Sequence, residues 1–191
     1  MDDIDFRNNW EYRAIDMKGI FDYGKKVLIS TTKSSESGYN IIMPFYCYNL
    51  ENNGPYPILV DRGWVAKDWI KKYEEESEEN LNKVESIKGI LYKGDKNNKF
   101  SKENDLENKK FFTTRPDELA KYFELSNQEI TSKFIIKEIS TLDDKKMYPE
   151  KVTMNDIMFT QITPKKHQDY AYFWMFVSVL NFTTNIYVWL L

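Results

Sequence analysis

No charged side chain occurs between Tyr170 and Leu191, the last residue of the chain. At about 1.5 Å per residue such a stretch forms a helix roughly 30 Å long, the thickness of a bilayer's hydrocarbon core. Tyr170, Tyr172 and Trp174 at one end, and Tyr187 and Trp189 at the other, fall where aromatic belts meet lipid headgroups. The pattern predicts one C-terminal transmembrane helix behind a soluble domain, divided as residues 1–166 and 167–191. A buried helix closing a soluble domain is the alternative, because Asn181, Thr183, Thr184 and Asn185 dilute the apolar run. These polar residues sit close together, so in a membrane they favour contact with another protein helix over bare lipid. Asn181, Thr184 and Asn185 are therefore candidate interaction residues. Lys165 and Lys166 precede the span and no charge follows it, so charge asymmetry sets no orientation.

The remainder is long enough for one domain with a real core. Lysine and arginine number 27 against 30 aspartate and glutamate, a formal charge of -3, which disfavours a nucleic-acid-binding surface. The single cysteine, Cys47, leaves no internal disulfide, redox pair or haem attachment motif, and in Phe45-Tyr46-Cys47-Tyr48 it reads as a buried, inert thiol. His167 is the one histidine, so no histidine-based metal triad can form. Neither a nucleophile elbow, a phosphate-binding glycine loop nor a dinucleotide fingerprint is present. The glutamates of Glu74-Glu75-Glu76-Ser77-Glu78-Glu79 point around a helix axis and do not converge on a metal. A binding or assembly role is favoured over an enzyme. The start, Met1-Asp2-Asp3-Ile4-Asp5, has neither an apolar signal core nor the character of a mitochondrial presequence.

Short apolar and β-branched runs broken by turn residues predict an α+β fold: an antiparallel, barrel-like β domain with short helices, followed by the anchor. Strands are expected over Ile15 to Phe21, Lys26 to Thr32, Tyr39 to Leu50, Pro57 to Val65, Val84 to Tyr92, Phe134 to Ile139 and Asn155 to Thr163. Turns are expected at Tyr23-Gly24, Ser34 to Gly38 and Glu51 to Pro55. Lys67 to Asn82 reads as a short helix fading into a loop, and Lys93 to Lys110 as a long polar loop. Pro116-Asp117-Glu118 marks the first turn of a second helix carrying Leu119, Tyr122 and Phe123.

Four stretches, in order, resemble the surfeit locus protein one family. They are Lys18-Gly19-Ile20-Phe21-Asp22 with Gly38 to Pro44 behind it; Ile58-Leu59-Val60-Asp61-Arg62-Gly63-Trp64-Val65; Phe100 to Asp105 leading into Phe111 to Arg115; and His167 to Trp174. The second is the most specific, close to the family's leucine-valine-asparagine-arginine-glycine-tryptophan-valine box, with Asp61 where asparagine is usual. Ser101-Lys102 departs from the family's proline-containing loop, and the family's transmembrane helix ahead of the soluble domain has no counterpart here.

The resemblance implies a cytochrome c oxidase (complex IV) biogenesis factor in the mitochondrial inner membrane, its domain facing the intermembrane space. It would assist haem a insertion or steady the core subunit. Partners would be oxidase subunits, the membrane, and a separate polypeptide supplying the missing N-terminal anchor. A permanent accessory subunit of the respiratory-chain oxidase and an unrelated tail-anchored adaptor are the other readings. Arg62, Gly63 and Trp64 form the candidate interaction box: the planar fork of Arg62 suits a carboxylate or propionate, or a neighbouring carboxylate that holds the barrel end. Trp64 reads most simply as core. His167 is a candidate haem a ligand through its neutral imidazole, or an interfacial histidine meeting headgroups.

Overall fold

A computed structural model describes residues 10–48, 55–78, 83–95, 101–126, 131–140, 148–160 and 164–190. Residues 51–54 of the turn expected at Glu51 to Pro55, Phe100, Glu79 and the N-terminal pentapeptide lie outside these residues. The chain divides into two compact units, Met1–Thr153 and Met154–Leu191.

The first unit is built from β1 (Ala14–Phe21), β2 (Val27–Lys33), β3 (Glu36–Tyr48), β4 (Pro55–Ala66), a 3-10 turn (Lys67–Trp69), α1 (Ile70–Glu78), β5 (Val84–Tyr92), α2 (Pro116–Tyr122) and β6 (Ile135–Glu138). The strands run β1-β5-β6-β4-β3, and β3 pairs back onto β1, so five strands close into a barrel with β2 attached outside. Closure depends on β3, which is 13 residues long. One of its edges pairs with β4 throughout, while the other pairs first with β2 and then with β1 through Gly19↔Cys47, Ile20↔Tyr46 and Phe21↔Phe45. A side chain at Gly19 would place its Cβ 2.2 Å from the Tyr46 carbonyl oxygen, so glycine is required for the seam.

Alternation along the strands separates two cores. Ile41, Met43, Phe45, Val60, Val65, Ile87 and Ile136 fill the barrel. Their neighbours Ile42, Leu59 and Ile135 face outward with Val27 and Ile29, and pack against Phe111 and the α2 residues Leu119 and Ala120. Burial on both faces explains why β3 and β4 read as nearly continuous apolar runs. Each fully buried aliphatic side chain contributes about 1.5–3 kcal/mol.

Three expectations are corrected. The barrel is not wholly antiparallel, since β4 and β6 run parallel through Val60↔Ile136 and Asp61↔Lys137. The stretch expected to be a final strand is helix α3 (Met154–Thr160), because Met154, Ile157 and Met158 recur at helical rather than alternate spacing. The expected C-terminal transmembrane helix is overturned as well. Pro164–Leu190 forms one helix, α4, but among the described residues no helix is long and apolar enough to cross a membrane. Its aromatic residues are amphipathic, and Asn181, Thr183, Thr184 and Asn185 interrupt the aliphatic ones near its C-terminal end. Within its own unit, Trp174, Phe176, Phe182 and Trp189 of α4 stand exposed.

A bulge in β4 sets the geometry of the barrel interior. Ile42 opposes Asp61 while the adjacent Ile41 opposes Gly63, leaving Arg62 as the extra residue. Gly63 has φ +119°, and a Cβ there would lie 2.4 Å from the Glu150 carbonyl oxygen. That contact belongs to a second strand-like pairing, in which Trp64 N–H donates to Glu150 O at 3.0 Å and Glu150 N–H donates to Trp64 O at 2.7 Å. Gly63→Ala is therefore expected to destabilise the full chain by more than about 2 kcal/mol, read as a lower midpoint in urea unfolding.

Candidate functional site

The inward rows of the barrel end in polar residues. Tyr23 follows Phe21 by two positions, Arg62 follows Val60, Glu85 precedes Ile87 and Glu138 follows Ile136, and each of these apolar residues belongs to the barrel core. A two-residue step returns to the same face of a strand, so each polar side chain is aimed toward the layer below the apolar one.

They converge on the Arg62 guanidinium. Its Nη1 donates to the Tyr23 hydroxyl at 2.8 Å, its Nη2 to Glu85 Oε2 at 3.2 Å and its Nε to Glu138 Oε2 at 3.3 Å. Tyr23 in turn donates to Glu85 Oε1 at 2.6 Å. Lys151 Nζ reaches the other oxygen of Glu138 at 3.1 Å, and the guanidinium lies 4.1 Å from the centre of the Phe21 ring. The side chains of Arg62 and Glu138 are only 11 % and 4 % exposed, so these charges are paired away from bulk water.

Burial opposes the charge on Arg62, but Glu138 and Glu85 outweigh it and hold the guanidinium protonated above its ordinary range. Burial, reinforced by the Glu85 carboxylate against the opposing pull of Arg62, pushes the Tyr23 phenol up to about 12. Burial likewise raises Tyr73, which faces the same charges. The cluster thus joins β4, β5, β6 and the β1–β2 turn through charged hydrogen bonds.

Beside it, Asp61 faces the opposite way and is 2 % exposed. Its Oδ1 accepts from Gly63 N–H at 3.1 Å, bridging the bulge. Burial lifts its carboxyl to about 6 despite Lys137 and the Gly63 N–H. Trp64 is buried, with no hydrogen-bond partner for its indole Nε1 among the described residues.

The other candidates lie in the second unit. His167 is exposed on α4. A shallow hollow on the same helix is lined by Asp169, Tyr170, Phe173 and Trp174, without His167. On this helix His167 thus offers one exposed axial nitrogen. The polar residues toward the end of α4 turn inward to their own helix. Asn185 Nδ2 donates to Asn181 O and Oδ1, both at 2.8 Å, and the Thr184 hydroxyl donates to Leu180 O at 3.0 Å. Asn181, Thr184 and Asn185 are brought together, whereas Arg62, Gly63 and Trp64 belong to the other unit.

Tyr23, Glu85, Glu138 and Lys151 are the participants that sequence reasoning missed. The available signal was a charge standing two positions from an apolar residue in an otherwise buried strand, as in Ile136-Lys137-Glu138.

The model of the SURF1 family matches residues 2–179 of the chain. The chain belongs to the SURF1 family. It is 41 % identical over 64 residues to Surfeit locus protein 1-like of Arabidopsis thaliana, covering 30 % of this chain and 17 % of that protein. It is 28 % identical over 127 residues to Surfeit locus protein 1 of Gallus gallus, covering 58 % and 40 %. Against Surfeit locus protein 1 of Arabidopsis thaliana it is 21 % identical over 212 aligned positions, covering 90 % and 59 %. The chain therefore spans less than two thirds of the length of these relatives.

Burial makes the charge of Asp61 costly. An amide would accept from Gly63 N–H without a buried charge. The raised carboxyl means that the folded state holds a proton that the unfolded state releases between pH 3.8 and about 6, so this group's contribution to stability falls as pH rises through that window. Asp61→Asn is expected to stabilise the chain by up to about 3 kcal/mol at pH 8, with the gain vanishing near pH 4, as measured by unfolding at both values. Arg62→Met should cost about 3–5 kcal/mol, because Glu138 and Glu85 lose their shared partner. In a double-mutant cycle, adding Glu138→Gln should restore part of that loss.

Proposed function

We propose that the chain is a biogenesis factor for cytochrome c oxidase, acting at the mitochondrial inner membrane with its barrel in the intermembrane space. The observation that carries this reading is the SURF1 family match, which extends from residue 2 through the whole barrel to residue 179 in α4. The charged groups around Arg62 are tied to one another, which suits a structural role for that cluster. Within biogenesis, steadying a core subunit is preferred to carrying haem a. The imidazole of His167 is exposed and lies outside the hollow on α4, while the exposed aromatic side chains of that helix offer area for a protein partner.

Removal of the chain from cells should lower the amount of assembled oxidase, and both the wild type and His167→Ala should restore it. Normal oxidase levels without the chain would refute the assembly role. A haem a absorption band in the purified protein that disappears in His167→Ala would refute the preference for subunit binding. The amount of chain per purified oxidase separates a transient factor, present in traces, from a permanent subunit, present in equal amount.

A further inference from the structure

A cleft of about 530 Å³ lies outside the barrel, between the β2–β3 hairpin and the loop before α2. It is lined by Ser30, Thr31 and Thr32 of β2, Ser37, Gly38 and Tyr39 of β3, Lys67, Ser101, Lys102, Phe112 and Thr113. The volume is that of a small-molecule site. The chain carries 30 carboxylate residues against 27 basic ones, yet among the described residues no aspartate or glutamate lines this cleft, while two lysines do. Seven of its eleven lining residues carry a hydroxyl group, able to donate to an oxygen acceptor.

One wall is pinned in place. Asn104 Oδ1 accepts from Phe112 N–H at 2.8 Å and Thr113 N–H at 3.0 Å, and its Nδ2 donates to Thr113 O at 3.0 Å and Glu118 Oε2 at 2.7 Å. A single asparagine thereby fixes the segment that carries Ser101, Lys102, Phe112 and Thr113 without occupying the cleft. The Lys102 ammonium lies 5.1 Å from the centre of the Phe112 ring, a contact much weaker than an anion would provide. Across the cleft, Ser30 N–H on the outward edge of β2 donates to Phe111 O at 3.3 Å, while Thr32 on the same edge makes no such backbone bond among the described residues. That edge adds a backbone donor to the hydroxyl groups.

We propose that this cleft binds a small oxyanion, a phosphate or carboxylate group of a low-molecular-weight metabolite, held by Lys67, Lys102 and the surrounding hydroxyl groups. The site lies on the barrel and does not depend on the role in oxidase assembly.

The test is calorimetric titration of the full chain, in neutral detergent at low salt, with inorganic pyrophosphate and separately with citrate. Saturable binding of at least one anion is expected, together with slowed hydrogen exchange in residues 30–39 and 101–113. Binding by pyrophosphate alone would mark the source as a phosphoester, and binding by citrate alone as a carboxylate. The Lys67→Ala/Lys102→Ala double variant should bind at least tenfold more weakly, with an unchanged unfolding midpoint because Lys67 and Lys102 are exposed. Absence of saturable heat with both anions at millimolar concentration, or equal binding by the double variant, would overturn the proposal. If the double variant unfolds early, Thr32→Val serves as the second variant, and unchanged binding there would be equally fatal.

Discussion

The barrel depends on a cation enclosed among carboxylates. Arg62 is the extra residue of a bulge, and the bulge brings its guanidinium beneath the apolar layer, where Glu138, Glu85 and Tyr23 take its three faces. Buried charges of this kind are costly to desolvate and are retained only where nearly every donor is matched. The match here spans β4, β5 and β6. A displaced strand would leave a charge unpaired, so the cluster selects one strand register over its neighbours.

Gly63 and Arg62 form one device. The left-handed backbone of Gly63 makes the bulge, and the missing Cβ admits the backbone around Glu150, which pairs with Trp64. The same segment brings Lys151 to the free oxygen of Glu138. The arginine-glycine-tryptophan box therefore has a structural logic that stands without any ligand: the arginine ties strands together, the glycine permits the bend and the tryptophan covers it. Asp61 spans the bulge from the other side, at the expense of a carboxylate held in an apolar setting.

The second unit follows different physics. Helix α4 has exposed aromatic side chains around its length and folds its own polar groups back on its carbonyls. A surface of that kind is satisfied in its hydrogen bonding and unsatisfied in its burial, which suits association with another apolar surface.

Sequence alone determined where most strands lie, because alternating and β-branched runs between Gly, Asn and Ser turns have few other solutions. It determined the helix opened by Pro116, the absence of catalytic and metal-binding motifs, and the family, through the box around Arg62. It misread residues 154–160, where a short apolar run fits two periods, and it took freedom from charge along α4 for sufficient hydrophobicity to span a bilayer. Only tertiary structure decided that β4 and β6 run parallel, that β3 closes the barrel, and that Glu85, Glu138 and Tyr23 meet Arg62. The physical reason is distance along the chain: periodicity reports which face a residue prefers, whereas the partner that neutralises a buried charge lies 23 to 76 positions away and is chosen by closure of the sheet.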